Sequence, residues 1–183
     1  TYQDAEKIFL QYNETDSLRK HGYAVEAVMR HFANLNKEDE ELWGIVGLLH
    51  DLDYEKYPSE HCIKVREILE KDGWEEYIIR AIVSHGYGNE GIDIKPESTM
   101  EKTLYAIDEL TGLINATALM RPTKMEGMKV KSVKKKFNQH SFASGVDRDV
   151  ILVGCEMLDK PLDYVIEECI IAMQNNSKKL GLD

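Results

Sequence analysis

Ser17-Leu18-Arg19-Lys20-His21-Gly22-Tyr23-Ala24-Val25-Glu26-Ala27-Val28-Met29-Arg30-His31-Phe32 decides the fold class. Leu18, His21, Val25, Val28, Met29 and Phe32 fall at spacings of 3, 4, 3, 1 and 3, which places them on one face of a helix. The pattern predicts a helix of about 18 residues, with Asp16 or Ser17 able to cap its start. One member of this apolar stripe is a histidine.

The same period recurs outward from this stretch. A second helix is predicted over 38–50, with Leu42, Ile45, Val46, Leu49 and His50 inward, followed by a loop from Asp51 to Tyr57. Pro58 suits a first helical position and predicts a third helix from there to about Lys71, broken by Asp72-Gly73. A fourth, near 75–85, carries Ile78, Ile79, Ile82 and His85. Gly86, Gly88 and Gly91 begin a loop that reaches Pro96, after which a long helix over 99–120 turns Leu104, Ile107, Asp108, Thr111, Ile114 and Ala118 inward. Pro122 ends it. Two more helices start near Asp147 and Pro161, the tail Lys178–Asp183 reads as frayed, and residues before Asp16 are assigned no element. No stretch alternates apolar and polar residues as a strand would. The expectation is one all-α domain over 1–183, a bundle of seven to nine helices around a central site. Its core spans about 17–120 and is completed by the segment 121–136 and helices over 146–178.

Composition agrees. The 183 residues are 43% apolar and 31% charged, which excludes a disordered chain and allows a core without disulfides. With 23 Lys+Arg against 33 Asp+Glu, the formal charge of −10 excludes a protein with a broad basic face for nucleic acid. Apolar runs fall short of the ~20 residues of a membrane span. No basic stretch followed by an apolar run opens the sequence, so a cytoplasmic location is expected and no membrane partner. Cys62, Cys155 and Cys169 are odd in number and lack CxxC spacing. They read as buried reduced thiols, not as a disulfide framework or a cysteine zinc site.

Four residues interrupt the apolar stripes: His21, His50, His85 and Asp108. Taken singly, each histidine reads as a packed or helix-end residue. Asp108 is harder to place, because burying a lone carboxylate is very costly. One divalent metal would satisfy all of them, since imidazole nitrogen and carboxylate oxygen suit Fe, Mn, Zn, Co or Ni. Asp51, next to His50, can donate to the same ion.

His50-Asp51 within Leu48-Leu49-His50-Asp51-Leu52, an upstream His21 and a downstream Asp108 together resemble the HD-domain metal-dependent phosphohydrolases. The resemblance implies an all-α fold in which His21, His50, Asp51 and Asp108 hold one metal. In a two-metal branch the doublet aspartate bridges, and two further histidines bind the second ion. His61, in Pro58-Ser59-Glu60-His61, and His85, in Val83-Ser84-His85-Gly86, stand in that order here. This is similar to the small HDIG-type hydrolases and, more distantly, to HD-fold mixed-valent di-iron oxygenases. The implied cofactor is one or two divalent ions, with Fe, Mn, Zn, Co, Ni and Mg not distinguished. Such an ion lowers the pKa of bound water from 15.7 toward ~7, and two of them against two aspartates leave a net positive site suited to an anion.

Arg121–Lys136 is the second unusual feature. Arg121, Lys124, Lys129, Lys131, Lys134, Lys135 and Lys136 face Glu126 alone, for a net +6 that leaves −16 on the remainder. Core packing does not explain Lys131-Ser132-Val133-Lys134-Lys135-Lys136. It reads either as a solvated basic face or as phosphate recognition, in which Arg121, Lys124, Lys131, Lys134 and Lys135 are the candidate contacts. No aromatic platform accompanies these lysines, which argues against nucleic acid. Lys56, five residues past Asp51, is a candidate phosphate contact or transition-state stabiliser beside Asp51, and Glu109 a candidate to orient a ligand. The expected activity is hydrolysis of a phosphate ester or anhydride of a small metabolite, a nucleotide first among them. The alternatives are a di-iron oxygenase using the same six ligands and a noncatalytic nucleotide-binding module. A homodimer is left open.

Overall fold

The computed structural model describes residues 1–183, and every regular element in it is a helix. In chain order these are α1 (Tyr2–Tyr12), α2 (Asp16–Leu35), α3 (Glu40–Leu49), α4 (Lys64–Lys71), α5 (Glu76–Ser84), α6 (Thr99–Leu119), α7 (Val130–Phe137), α8 (Arg148–Leu158), α9 (Leu162–Asn175) and α10 (Ser177–Leu180). The last is a single turn. None is long and apolar enough to cross a membrane.

Local chemistry fixes several starts. Ser98 caps α6 with its hydroxyl on the Glu101 amide at 3.1 Å, while Glu101 accepts from the Ser98 amide at 2.9 Å, so two orphan donors are satisfied reciprocally. Asp39 accepts from the Leu42 amide at 3.1 Å and Asp147 from the Val150 amide at 3.1 Å. The start of α2 differs from the expected Asp16 or Ser17 cap. Thr15 is the capping residue and gives its side chain to Glu55 instead, at 2.6 Å. Glu55 also accepts from the amides of Glu14 and Thr15, at 2.7 and 3.2 Å. The loop after α3 is thereby tied to the entry of α2.

α2 and α3 pair as an antiparallel hairpin, and α6 lies against α2 and α8. Close approach depends on small residues. A Cβ at Gly47 would lie 2.9 Å from the Val25 carbonyl oxygen, so glycine there lets α3 settle onto the α2 backbone. Phe9, Met29, Leu49, Leu52, Ile82, Leu104, Ile107 and Leu110 fill the interior without solvent access.

Three further departures from expectation have physical causes. The segment before Asp16 is a helix, because Thr1 and Asp4 form a capping box and Ala5, Ile8 and Phe9 bury one face. The third helix does not run from Pro58. A short 3-10 turn covers Pro58–Glu60, the chain breaks at Cys62 in a left-handed conformation (φ 68), and α4 starts only at Lys64. The tail is docked, not frayed: Leu180 and Leu182 are buried, and the Met125 amide donates to the Leu182 carbonyl at 3.2 Å.

Between α7 and α8 the chain is irregular, yet its carbonyls are satisfied. Buried Arg148 donates to the carbonyl oxygens of Lys136, Phe137, Gln139, Phe142, Ala143 and Val146, at 2.5–3.2 Å.

Candidate metal centre

Four helices and one loop converge. His21 stands near the start of α2, His50 and Asp51 at the end of α3, His61 in the loop beyond, His85 at the end of α5 and Asp108 midway along α6. Their donor atoms form two adjoining groups. In the first, His21 Nε2 is 3.2 Å from His50 Nε2 and 3.1 Å from Asp108 Oδ1, and His50 Nε2 is 3.0 Å from Asp108 Oδ1. Asp51 Oδ2 closes it, 3.4 Å from His21 and 3.2 Å from His50. The second group uses the other oxygen of the same carboxylate: Asp51 Oδ1 is 3.2 Å from His61 Nε2 and 3.4 Å from His85 Nε2. Asp51 thus turns one oxygen to each pair of histidines.

His21, His50, Asp51 and Asp108 could hold a metal ion, and so could His61 and His85 with the adjoining Cys62. The ring tautomers favour it. His50 Nδ1 donates to the Gly47 carbonyl at 2.7 Å, His61 Nδ1 donates to Asp53 Oδ1 at 2.7 Å, and His85 Nδ1 donates to the Ile82 carbonyl. In each neutral ring the remaining Nε2 carries only a lone pair. It faces carboxylate oxygens that also only accept, so a cation or extra protons must lie between them. Ligands about 2.0–2.3 Å from one ion are about 3.0–3.7 Å from each other, and the observed separations of 3.0–3.4 Å lie in that range.

The same proximity shifts the titration of every member. Burial opposes charging His21, but its hydrogen bonds to Asp108 and Asp51 prevail and push it up to about 10. His50, His61 and His85 are raised against the same burial penalty by neighbouring acidic groups. Asp51 and Asp108, whose burial alone would raise them, are held well down by His50 and the other imidazoles. Raised histidines stabilise the fold fully below their ordinary 6.5, and that contribution is lost as pH climbs through the folded value, about 10 for His21. Depressed aspartates contribute above their ordinary 3.8 and lose it as pH falls. Chelator-treated protein is therefore expected to melt highest between 3.8 and 6.5, with Tm falling steadily toward pH 10. A Tm constant from pH 6 to 10 by circular dichroism would contradict this origin of the shifts.

Two participants were not expected from sequence. Asp53, fully buried, accepts from His61 Nδ1 and from the Val65 amide at 2.9 Å, so it both orients His61 and starts α4. A carboxylate two residues past His50-Asp51 was the available signal. Cys62 Sγ lies 3.5 Å from His85 Nε2. Burial raises its thiol, but His85 and His61 outweigh that and bring it down to about 7. Glu109, beside Asp108, is pushed up to about 7 by burial first and then by the Asp108 charge.

None of the basic candidates forms an ion pair with Asp51 or Asp108, whose partners are all histidines. Lys56 Nζ donates to the Gln11 carbonyl at 3.1 Å and lies over the Tyr12 ring, so it closes the end of α1. Arg121 folds onto the Glu126 carbonyl at 2.9 Å. It lies past Leu119, the last residue of α6, which is itself about 16 Å along the axis from Asp108 at 1.5 Å per residue. Lys134 pairs with Asp163 at 2.8 Å. Lys124, Lys131 and Lys135 form no ion pair, and the last two are exposed on and beside the turns of α7.

Compared with protein-family models, curated proteins and solved structures, the chain matches none of them.

Proposed function

We propose that this protein is a metal-dependent hydrolase of a small phosphorylated metabolite, with His21, His50, Asp51, His61, His85 and Asp108 holding two divalent ions. The observation that carries this is the single carboxylate of Asp51, whose two oxygens serve two separate histidine pairs. Bound ions would supply Lewis-acid chemistry, making water acidic enough to act near neutral pH and offsetting charge on a phosphoryl group. The chain's own contribution is preorganisation. The Gly47 and Ile82 carbonyls and Asp53 fix three imidazoles by their Nδ1 atoms, so no ring must turn when the site loads. His50 and Asp53 are shut off from solvent, which keeps competing water away from one side.

The basic residues fit a role in attraction better than in contact. Lys131 and Lys135 lie far enough out to act as a local positive field on an otherwise acidic surface. Changing both to Gln is expected to raise KM about threefold at low ionic strength, an effect that salt screening removes. An unchanged KM at low salt would return them to plain surface lysines.

The function is tested by loading anaerobically purified protein with Mn, Fe, Co or Zn and screening nucleotides and other phosphoesters under argon. Phosphate release is the expected result. Dioxygen uptake on substrate addition, with stoichiometric iron, would assign the centre to an oxygenase. Tight nucleotide binding without turnover would make the protein a sensor.

A further inference from the structure

Cys62 does not behave like the other two thiols. Cys155 and Cys169 are buried and have no hydrogen-bond partner. Cys62, equally buried at 1% exposure, puts Sγ 3.5 Å from His85 Nε2 and 3.9 Å from Nδ1 of the same ring. Nε2 is the atom left with a lone pair once Nδ1 has donated to the Ile82 carbonyl. His61, Cys62 and His85 bring one donor atom each to within 4.8 Å of one another.

The backbone is bent to allow this. Consecutive side chains along a helix or strand diverge, and the chain turns between His61 and Cys62, where Cys62 is left-handed with φ 68. For a residue with a Cβ that conformation is strained and persists only where surroundings compel it. Room is kept across the site by Gly86, immediately after His85, where a Cβ would fall 2.7 Å from Cys62 Sγ.

We propose that Cys62 Sγ is a thiolate ligand at the second metal position, completing a set with His61, His85 and Asp51 Oδ1. The inference rests on the two-metal reading given under Proposed function. The thiol proton leaves to solvent as the sulfur–metal bond forms, and no electron is transferred. A nitrogen at about 2.05 Å and a sulfur at about 2.3 Å from one tetrahedral ion are about 3.5 Å apart, the separation seen between His85 Nε2 and Cys62 Sγ. Sulfur also decides the ion. A thiolate favours zinc, iron or cobalt over magnesium or manganese, whereas the all-nitrogen-and-oxygen first group does not discriminate so sharply. The two positions are therefore unlike in softness.

The full chain loaded with cobalt(II) tests this. The expected result is two cobalt ions per chain and a near-ultraviolet thiolate-to-cobalt band. In Cys62→Ser the band is lost, one ion is retained with its visible absorption, and affinity at the second position falls by more than about 100-fold. That exceeds the 10–100-fold that losing a mere orienting partner costs. Should Cys62→Ser misfold, X-ray absorption on the unaltered zinc protein decides, with a sulfur scatterer at about 2.3 Å expected. Two ions bound with no sulfur signature would overturn the thiolate while leaving the hydrolase reading intact. A chain that binds no cobalt at all would overturn both.

Discussion

On the proposed two-metal reading, Asp51→Ala is expected to lose bound metal and phosphoester hydrolysis together. Each oxygen of this carboxylate faces a different pair of histidines, at 3.2–3.4 Å, so one truncation removes a ligand from both groups. Of the carboxylate oxygens that face the four Nε2 atoms at 3.4 Å or less, only that of Asp108 remains, on His21 and His50. His21 and His50 are 3.2 Å apart at Nε2. Lewis-acid activation is worth several kcal/mol, and 1.36 kcal/mol is a factor of ten, so the loss in kcat/KM is at least about a thousandfold. Elemental analysis of metal per chain and phosphate release on the same preparation check it, with circular dichroism to show that the helices remain. Asp51→Asn keeps the shape and one neutral acceptor oxygen, and it should retain some metal but little turnover. Full metal content and turnover in Asp51→Ala would remove Asp51 from the centre.

Gly154→Ala is the second change expected to be large, and it acts on packing. A Cβ built at this position of α8 would lie 2.4 Å from Ala106 Cα, 2.8 Å from its Cβ and 2.9 Å from its backbone nitrogen. Those are atoms of α6 itself, which cannot swing aside as a long side chain can, so the two helices must part. Overpacking of this kind costs typically about 1–3 kcal/mol. At this chain length each kcal/mol moves Tm by about 2–4 °C, which gives a fall of about 2–12 °C. Asp108 follows Ala106 by two residues on the same helix, so metal affinity should drop as well. Gly112→Ala is the control. It lies on α6 with nothing within 4 Å of a built Cβ, and there alanine's helix preference should raise stability by up to about 1 kcal/mol. Equal Tm values for the two variants would mean that α6 and α8 are not held at this distance.

The helical bundle was legible because its stripes are long. Leu18 to Phe32 repeats one face over four turns, and Ser98 with Glu101 is a start signal that needs no tertiary knowledge. His21, His50, His85 and Asp108 could be picked out for the opposite reason, since each breaks an apolar stripe where a charge needs a partner. α1 escaped because only Ala5, Ile8 and Phe9 mark its buried face. Asp53 and Cys62 escaped because both sit in a loop, where periodicity carries no information. Their roles depend on a left-handed residue and on a carboxylate reaching forward to the Val65 amide. The lysines of the basic segment show a different limit. Composition revealed their excess, but that Lys134 would meet Asp163 at the start of α9 is decided only when α7 docks.

Arg148 gives the irregular chain between α7 and α8 its form, through six carbonyls gathered on one guanidinium. A ladder of independent bonds frays from its end, one rung at a time. A hub differs: its loss strips the carbonyls of Phe137, Phe142 and Val146 of their partner at one stroke, while those of Lys136, Gln139 and Ala143 keep the amides of Gln139, Phe142 and Val146. Segment 136–146 is thereby tied to a residue on α8, the helix that presses against α6. Order in segment 136–146 is in this way coupled to the seating of α8 on α6.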